Sequence, residues 1–190
     1  MGTIGIHRPV MLIAAVTSQY EDAFDWGIQK SEKAWGKIWQ ASERFQFTET
    51  SYYEKSMGGQ LRKQFWVYDQ LIDPNSLPDA KWLSNEWEDE FREVNHYPVD
   101  RPINIDPGYI SEAKLVLATT KDRDHRIYLD KGIYAEVTLH FHRGQWQSRP
   151  WTYPDYQRAD FQAFFTNCRN DLRKRYKEMS RADLSDEDFQ

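Results

Sequence analysis

The run Pro9 to Thr17 (PVMLIAAVT) is apolar at nearly every position and is bounded by proline and polar residues. That pattern predicts a strand buried on both faces, central in its sheet. From Tyr20 to Ser42 the spacing becomes helical, with Phe24, Ile28, Trp35, Ile38 and Trp39 on one stripe. Arg44 to Thr48 and Leu61 to Tyr68 alternate in the manner of strands, and the second sets Leu61, Lys63, Phe65 and Val67 against Arg62, Gln64, Trp66 and Tyr68. Thr50 to Gly59, with Tyr52, Tyr53, Met57 and the Gly58-Gly59 pair, reads as a connecting loop or as a place where backbone approaches a ligand.

Ser76 with Asp79 forms a capping-box pattern ahead of a helix whose stripe is Ala80, Leu83, Trp87, Phe91 and Val94. Ile103 to Ile105 suits a short strand leading into Asp106-Pro107-Gly108, a turn signal. Ser111 to Thr120 fits a short helix or a strand. His125 to Leu129, the turn Asp130-Lys131-Gly132 and Ile133 to His142 predict a β-hairpin. On its second strand Ile133, Ala135, Val137, Leu139 and Phe141 face one way, and Tyr134, Glu136, Thr138, His140 and His142 the other. Phe161, Phe164, Phe165, Cys168, Leu172 and Tyr176 mark a last helix from about Arg158 to Met179.

These elements assemble into an α+β fold, a single mixed or mostly antiparallel sheet with helices chiefly on one face. The order βαββα at the start suits a ferredoxin-like layout and is followed by a C-terminal hairpin and helix. The 190 residues, 39% apolar and 15% aromatic with 8 Trp, suit one domain over residues 9–179. Residues 1–8 and 180–190 are expected to be flexible ends.

The formal charge of −5 supplies no bulk attraction to a polyphosphate. Between Arg101 and Arg149, however, eight Lys and Arg face six Asp and Glu. This stretch, which also holds His125, His140 and His142, favours an anion. The one cysteine, Cys168, excludes an internal disulfide and suits a reducing, cytoplasmic setting. Val10 to Val16 is too short for a membrane span, and no signal peptide is read.

Candidate chemistry concentrates between Asn104 and Tyr156, in the segments NIDPGY, KLVLATTKDRDHRIYL, KGIYAEVTL and PWTYPDY. Their combination resembles the bacterial and archaeal family of unknown function DUF4416, over about Val10 to Tyr176, with Thr50 to Gly58 and Phe65 to Pro74 also fitting. The resemblance implies no established activity; members have at times carried a loose label as GTP-binding proteins. The residues here do not support a conventional GTPase. No G-x-x-x-x-G-K-[ST] is present, and Thr120-Lys121-Asp122-Arg123-Asp124 has the wrong spacing for guanine reading.

Four readings of the residues stay open. Lys114, Lys121, His125, Arg126 and Lys131 form an anion or nucleotide site, or a solvated turn surface paired with Asp122, Asp124 and Asp130. His140 and His142 with Glu136 have a spacing that two imidazoles on one ion require, and equally that of exposed strand residues; no metal ligand is assigned. Asp106, Glu136 and Asp155 could form an acid and base pair, or shape a turn and cap a helix. Trp151, Tyr153, Tyr156, Tyr109 and Tyr134 form a stacking platform or pack in the core. Cys168, on an apolar stripe, is a poor nucleophile.

The resulting expectation is a protein that binds an anionic small molecule or nucleotide, enzyme or not, with Asp106, His125 and Glu136 as catalytic candidates. Lys114, Lys121, Arg126, Lys131, Tyr134, Tyr109, Trp151, Tyr153 and Asp155 are the candidates for binding. The competing expectation is a non-catalytic module that binds protein or RNA through exposed aromatics. A membrane is not an expected partner, nucleic acid stays open, and no motif names a cofactor or an oligomeric state.

Overall fold

The computed structural model describes residue 5, residues 7–49 and residues 53–187, with side chains described as far as Ser180. Tyr52 therefore lies outside the described residues, as does part of the expected flexible start.

β1 (Val10–Ser18) is buried along its whole length and is paired antiparallel with β4 (Arg62–Ile72) on one side and β5 (Ile103–Ile110) on the other. α1 (Glu21–Trp35) follows β1 and stops at Gly36. There φ is +86°, a left-handed conformation that glycine adopts without a Cβ penalty. Ile38 and Trp39, expected on the helix, belong instead to strand β2 (Ile38–Ala41), which pairs with β4. A two-residue strand β3 (Phe45–Gln46) also pairs with β4, and a short helix α2 (Glu54–Met57) precedes it in the chain.

α3 (Leu77–Val94) then crosses to β5. Its Ser76 makes no side-chain cap; Asp73 accepts from the Asn75 amide at the preceding 3-10 turn instead. The spatial order β2-β4-β1-β5, all antiparallel, is that of the ferredoxin-like split βαβ arrangement. The sheet continues through β6 (Lys114–Thr119), β8 (Ile133–His142) and β7 (Ile127–Asp130), with β9 (Gln145–Ser148) also on β8. The ambiguous segment after Ser111 is thus a strand.

Alternation along β1 divides the core. Leu12, Ala14 and Val16 pack with Phe24 of α1 and Trp87 and Phe91 of α3. Met11, Ile13 and Ala15 pack beneath α4 (Ala159–Glu187), against Phe161, Phe165, Cys168 and Leu172. α1 and α3 therefore cover one face and α4 the other. The last helix, expected to end at Met179, continues to Glu187. Among the described residues no helix is long and apolar enough to cross a membrane.

Two irregularities shape the face beneath α4. The first is the parting of β5 from β6. The two strands pair only from Gly108, Tyr109 and Ile110 to Leu117, Val116 and Leu115, so Ile103 to Pro107 have β1 beside them on one side alone. Asp106-Pro107-Gly108 is not a turn; it lies inside β5, where the strands separate. Pro107 has no N–H to leave unsatisfied there. A Cβ on Gly108 would stand 2.2 Å from the Val116 carbonyl oxygen, so only glycine allows the close approach before the parting.

The second irregularity is a β-bulge in β8. Leu115 pairs with Leu139 and Val116 with Val137, leaving Thr138 as the extra residue. The expected alternation breaks at this point. Ile133, Ala135 and Val137 pack with Leu77 and Val116 on the α3 side, while Leu139 and Phe141 join the cluster under α4. Glu136, opposite Leu117, thereby comes to share the α4 side with Leu139, while His140, opposite Lys114, faces away.

Candidate functional site

Where β5 leaves β6, the backbone of Ile105 has no strand to pair with on the side away from β1. Two side chains of α3, seven residues apart and so on one helix face, take its place. Glu88 Oε1 accepts from the Ile105 amide at 2.8 Å, and Lys81 Nζ donates to the Ile105 carbonyl at 3.1 Å. Lys81 also reaches Asp106 Oδ1 at 2.8 Å, and Asn104 Nδ2 donates to Asp106 Oδ2 at 2.7 Å. Arg101 donates to Glu88 Oε2 through Nε at 3.0 Å and Nη2 at 2.7 Å.

Asp106 faces a cleft on the α4 side of the sheet, its side chain 35% exposed. Burial opposes its ionisation, but Lys81 and Arg101, with the hydrogen bonds from Lys81 and Asn104, outweigh burial and hold the carboxyl well below the usual range. Near neutral pH Asp106 is a fixed carboxylate. It accepts hydrogen bonds and does not act as a general acid.

The cleft has two further ion pairs. Lys63, Thr17 and Asn104 form one cross-strand row on β4, β1 and β5. The Lys63 ammonium, 4.3 Å from the centroid of the Phe47 ring, bonds to Asp155 on the turn that precedes α4. On the other wall, Arg126 Nε donates to Glu136 Oε2 at 2.8 Å, its Nη1 to the Lys121 carbonyl at 2.9 Å and its Nη2 to the Tyr153 hydroxyl at 3.4 Å. The bulge that aims Glu136 is held by the β9–α4 connection: Trp151 Nε1 donates to the Val137 carbonyl at 3.0 Å and Thr152 Oγ1 to the Thr138 carbonyl at 2.6 Å.

The resulting space comprises a chamber of about 450 Å³ and a smaller one of about 130 Å³, both bordered by Tyr53, Asp106, Lys121, Arg126 and Tyr153. Burial, then the nearby Asp106 and Tyr153, pushes the Tyr53 phenol above its ordinary value, so it remains a neutral hydroxyl. Six cations line the two chambers, Lys63, Lys81, Arg101, Lys121, Arg123 and Arg126, against the four carboxylates Glu49, Asp106, Glu136 and Asp155. The lining itself thus has an excess of two positive charges. Of the partners just behind the walls, Glu88 pairs with Arg101, and Arg158 is shared between Glu49 and Asp160, so counting Glu88, Arg158 and Asp160 as well brings the excess to one.

Of the residues singled out in the sequence, Asp106, Lys121, Arg126, Glu136, Tyr153 and Asp155 come together here. Others do not. His125 lies behind Glu136, its Nε2 3.4 Å from Glu136 Oε2, and stacks on Trp151 with ring centroids 5.0 Å apart. With Tyr109, Lys114 and Trp151 it borders a separate groove on the opposite face. Lys131 sits at the hairpin turn, paired with Asp79. Tyr134 packs edge-on against Tyr128. Tyr156, by contrast, is packed in the core and also borders the larger chamber. His140 and Glu136 point to opposite faces, and among the described residues no three His, Cys, Asp or Glu are arranged to hold a metal. Burial pushes the Cys168 thiol up to about 12, so it stays protonated in the core.

Lys63, Lys81, Arg101 and Arg123 escaped the sequence reading. Lys63 was legible as a charge on the Leu61, Phe65, Val67 face of a strand. Lys81, Ser84 and Glu88 were legible as polar residues recurring at helical spacing beside Ala80, Trp87 and Phe91.

No curated protein and no solved structure shows a significant match to the chain. One family model does, the domain of unknown function DUF4416, and it matches residues 8–172. That span takes in every strand and the site, and the chain belongs to this family.

Proposed function

We propose that the chain binds a small anionic molecule in the cleft between β5, β6 and the turn before α4. The observation that carries this reading is the excess of two positive charges around a concave, partly aromatic space. An enzyme built on this cleft would use Asp106 as a fixed hydrogen-bond acceptor that orients the substrate, with Arg126 and Lys121 meeting negative charge. The lone buried Cys168 suits a reducing, cytoplasmic setting.

The test is thermal melting against phosphate, nucleotides, sugar phosphates, dicarboxylates and divalent metals, since a ligand bound only by the native state raises the melting temperature. A shift with anions, lost in a Lys121→Glu, Arg123→Glu double variant, supports the reading. No shift with any anion overturns it.

Binding of a macromolecule through exposed aromatics keeps a narrower basis. Trp151 is half-buried with its indole N–H bonded to Val137, whereas Ile127 and Tyr128 on the edge strand β7 are 71% and 56% exposed. Light scattering on the purified chain, compared with an Ile127→Lys variant, tests that edge as a contact.

A further inference from the structure

Resting on the anion-binding reading, we propose that the ligand of the cleft is a hydroxylated phosphate monoester, such as a sugar phosphate or a nucleoside monophosphate. Its phosphate meets Lys121, Arg123 and Arg126, and its hydroxyls donate to Asp106.

Charge selects the first half of this molecule. A phosphate monoester carries about −1.5 to −2 near neutral pH, which matches the excess of two cations among the residues that line the cleft and face the ligand. A monocarboxylate would leave about one charge unmatched, and a triphosphate would overshoot. Arg123 stands in the cleft lining with no ion pair to another described side chain, and Arg126, fixed by Glu136 and the Lys121 carbonyl, is already oriented. Phosphate oxygens suit such guanidinium groups better than a lone ammonium would.

Hydrogen bonding selects the second half. Each Asp106 oxygen has one donor, Lys81 or Asn104, and each retains lone-pair capacity toward the cleft. An ionised carboxylate can only accept, so a ligand lying against it must bring donors. Inorganic phosphate or pyrophosphate would present mainly acceptors and be repelled. Sugar hydroxyls, carried on the same molecule as the phosphate, meet both requirements. Tyr153, 46% exposed at the rim, offers a ring face to the sugar or to a base.

The experiment is titration calorimetry near neutral pH with ribose 5-phosphate, glucose 6-phosphate, adenosine monophosphate, inorganic phosphate, succinate and unphosphorylated ribose. At least one monoester is expected to bind roughly tenfold or more tightly than inorganic phosphate and than ribose, the scale of one hydrogen bond to a charged group. Adenosine monophosphate above ribose 5-phosphate would identify a nucleotide, and the reverse a sugar phosphate. Asp106→Asn is expected to weaken the monoester about tenfold and to leave inorganic phosphate as tight as before or tighter, since the repelling charge is gone. Because that variant perturbs Lys81, the ligand comparison on the unmodified protein stands as an independent measurement. Inorganic phosphate or succinate binding as tightly as every monoester overturns this inference and leaves anion binding intact. No binding by any anion overturns both.

Discussion

Lys81 and Asp106 project from opposite sides of one sheet, yet their charged groups meet at 2.8 Å. They meet because β5 has no strand beside Ile105 on the side away from β1, so a helix side chain can pass the strand edge and take up the backbone carbonyl on its way. Removing the ammonium leaves a carbonyl and a carboxylate without their donor. Lys81→Met is expected to cost about 2–3 kcal/mol in urea unfolding, less than for a fully buried pair because Asp106 is partly solvated. A loss under about 1 kcal/mol would show that the open edge does not depend on α3.

Gly108→Ala places a methyl group 2.2 Å from the Val116 carbonyl oxygen, a contact that only a shift of backbone can relieve. The expected loss is more than about 2 kcal/mol, with a lowered melting temperature and altered ligand binding because the parting of the strands moves. Gly59→Ala is the control. Nothing lies within 4 Å of its Cβ position, and a change within about 0.5 kcal/mol is expected.

The depressed acidity of Asp106 makes stability depend on pH in a stated direction. Its carboxyl titrates lower in the folded chain than in the unfolded one, so between the two values the unfolded state holds more protons and stability rises with pH. The contribution is complete above the unfolded value of about 4 and is lost as pH falls through the folded value. Urea midpoints measured from neutrality down to strongly acid pH should decline below about pH 4, and Asp106→Asn should flatten that decline. An unchanged slope in the variant would assign it to other carboxylates.

Thr152 is tied twice at the bulge, accepting from the Arg149 amide at 2.7 Å and donating to the Thr138 carbonyl at 2.6 Å. Thr152→Val keeps the shape and removes both bonds. A loss of about 1–2 kcal/mol is expected, and hydrogen exchange at the Arg149 amide should quicken. Retained protection there would mean that the connection is held by packing alone.

Much of this molecule was legible along the chain. The all-apolar β1, the α3 and α4 stripes and the β7–β8 hairpin follow from periodicity and turn chemistry, because each is encoded within one segment. The misreadings share a cause. Asp106-Pro107-Gly108 has the composition of a turn, and only the partner strands show that proline and glycine serve a parting of β5 from β6 instead. The alternation in β8 was correct on each side of Thr138 and wrong across it, since a bulge is defined by the neighbouring strand.

For the site the division is the same. Composition between Asn104 and Tyr156 marked Asp106, Lys121, Arg126, Glu136, Tyr153 and Asp155, because polar and aromatic residues beside glycine and proline are unusual locally. It could not separate them from Lys131 or His125, which have the same chemistry and lie as near in sequence. The sequence by itself determined the class of fold, the central strand, the helix stripes and the stretch of chain in which the polar residues gather. Tertiary structure alone decided which of those residues meet. Lys63, Lys81 and Arg101 come from three segments upstream, and what brings them to Asp106 and Asp155 is strand pairing and helix packing over separations of up to 92 residues. No local pattern of side chains carries that information.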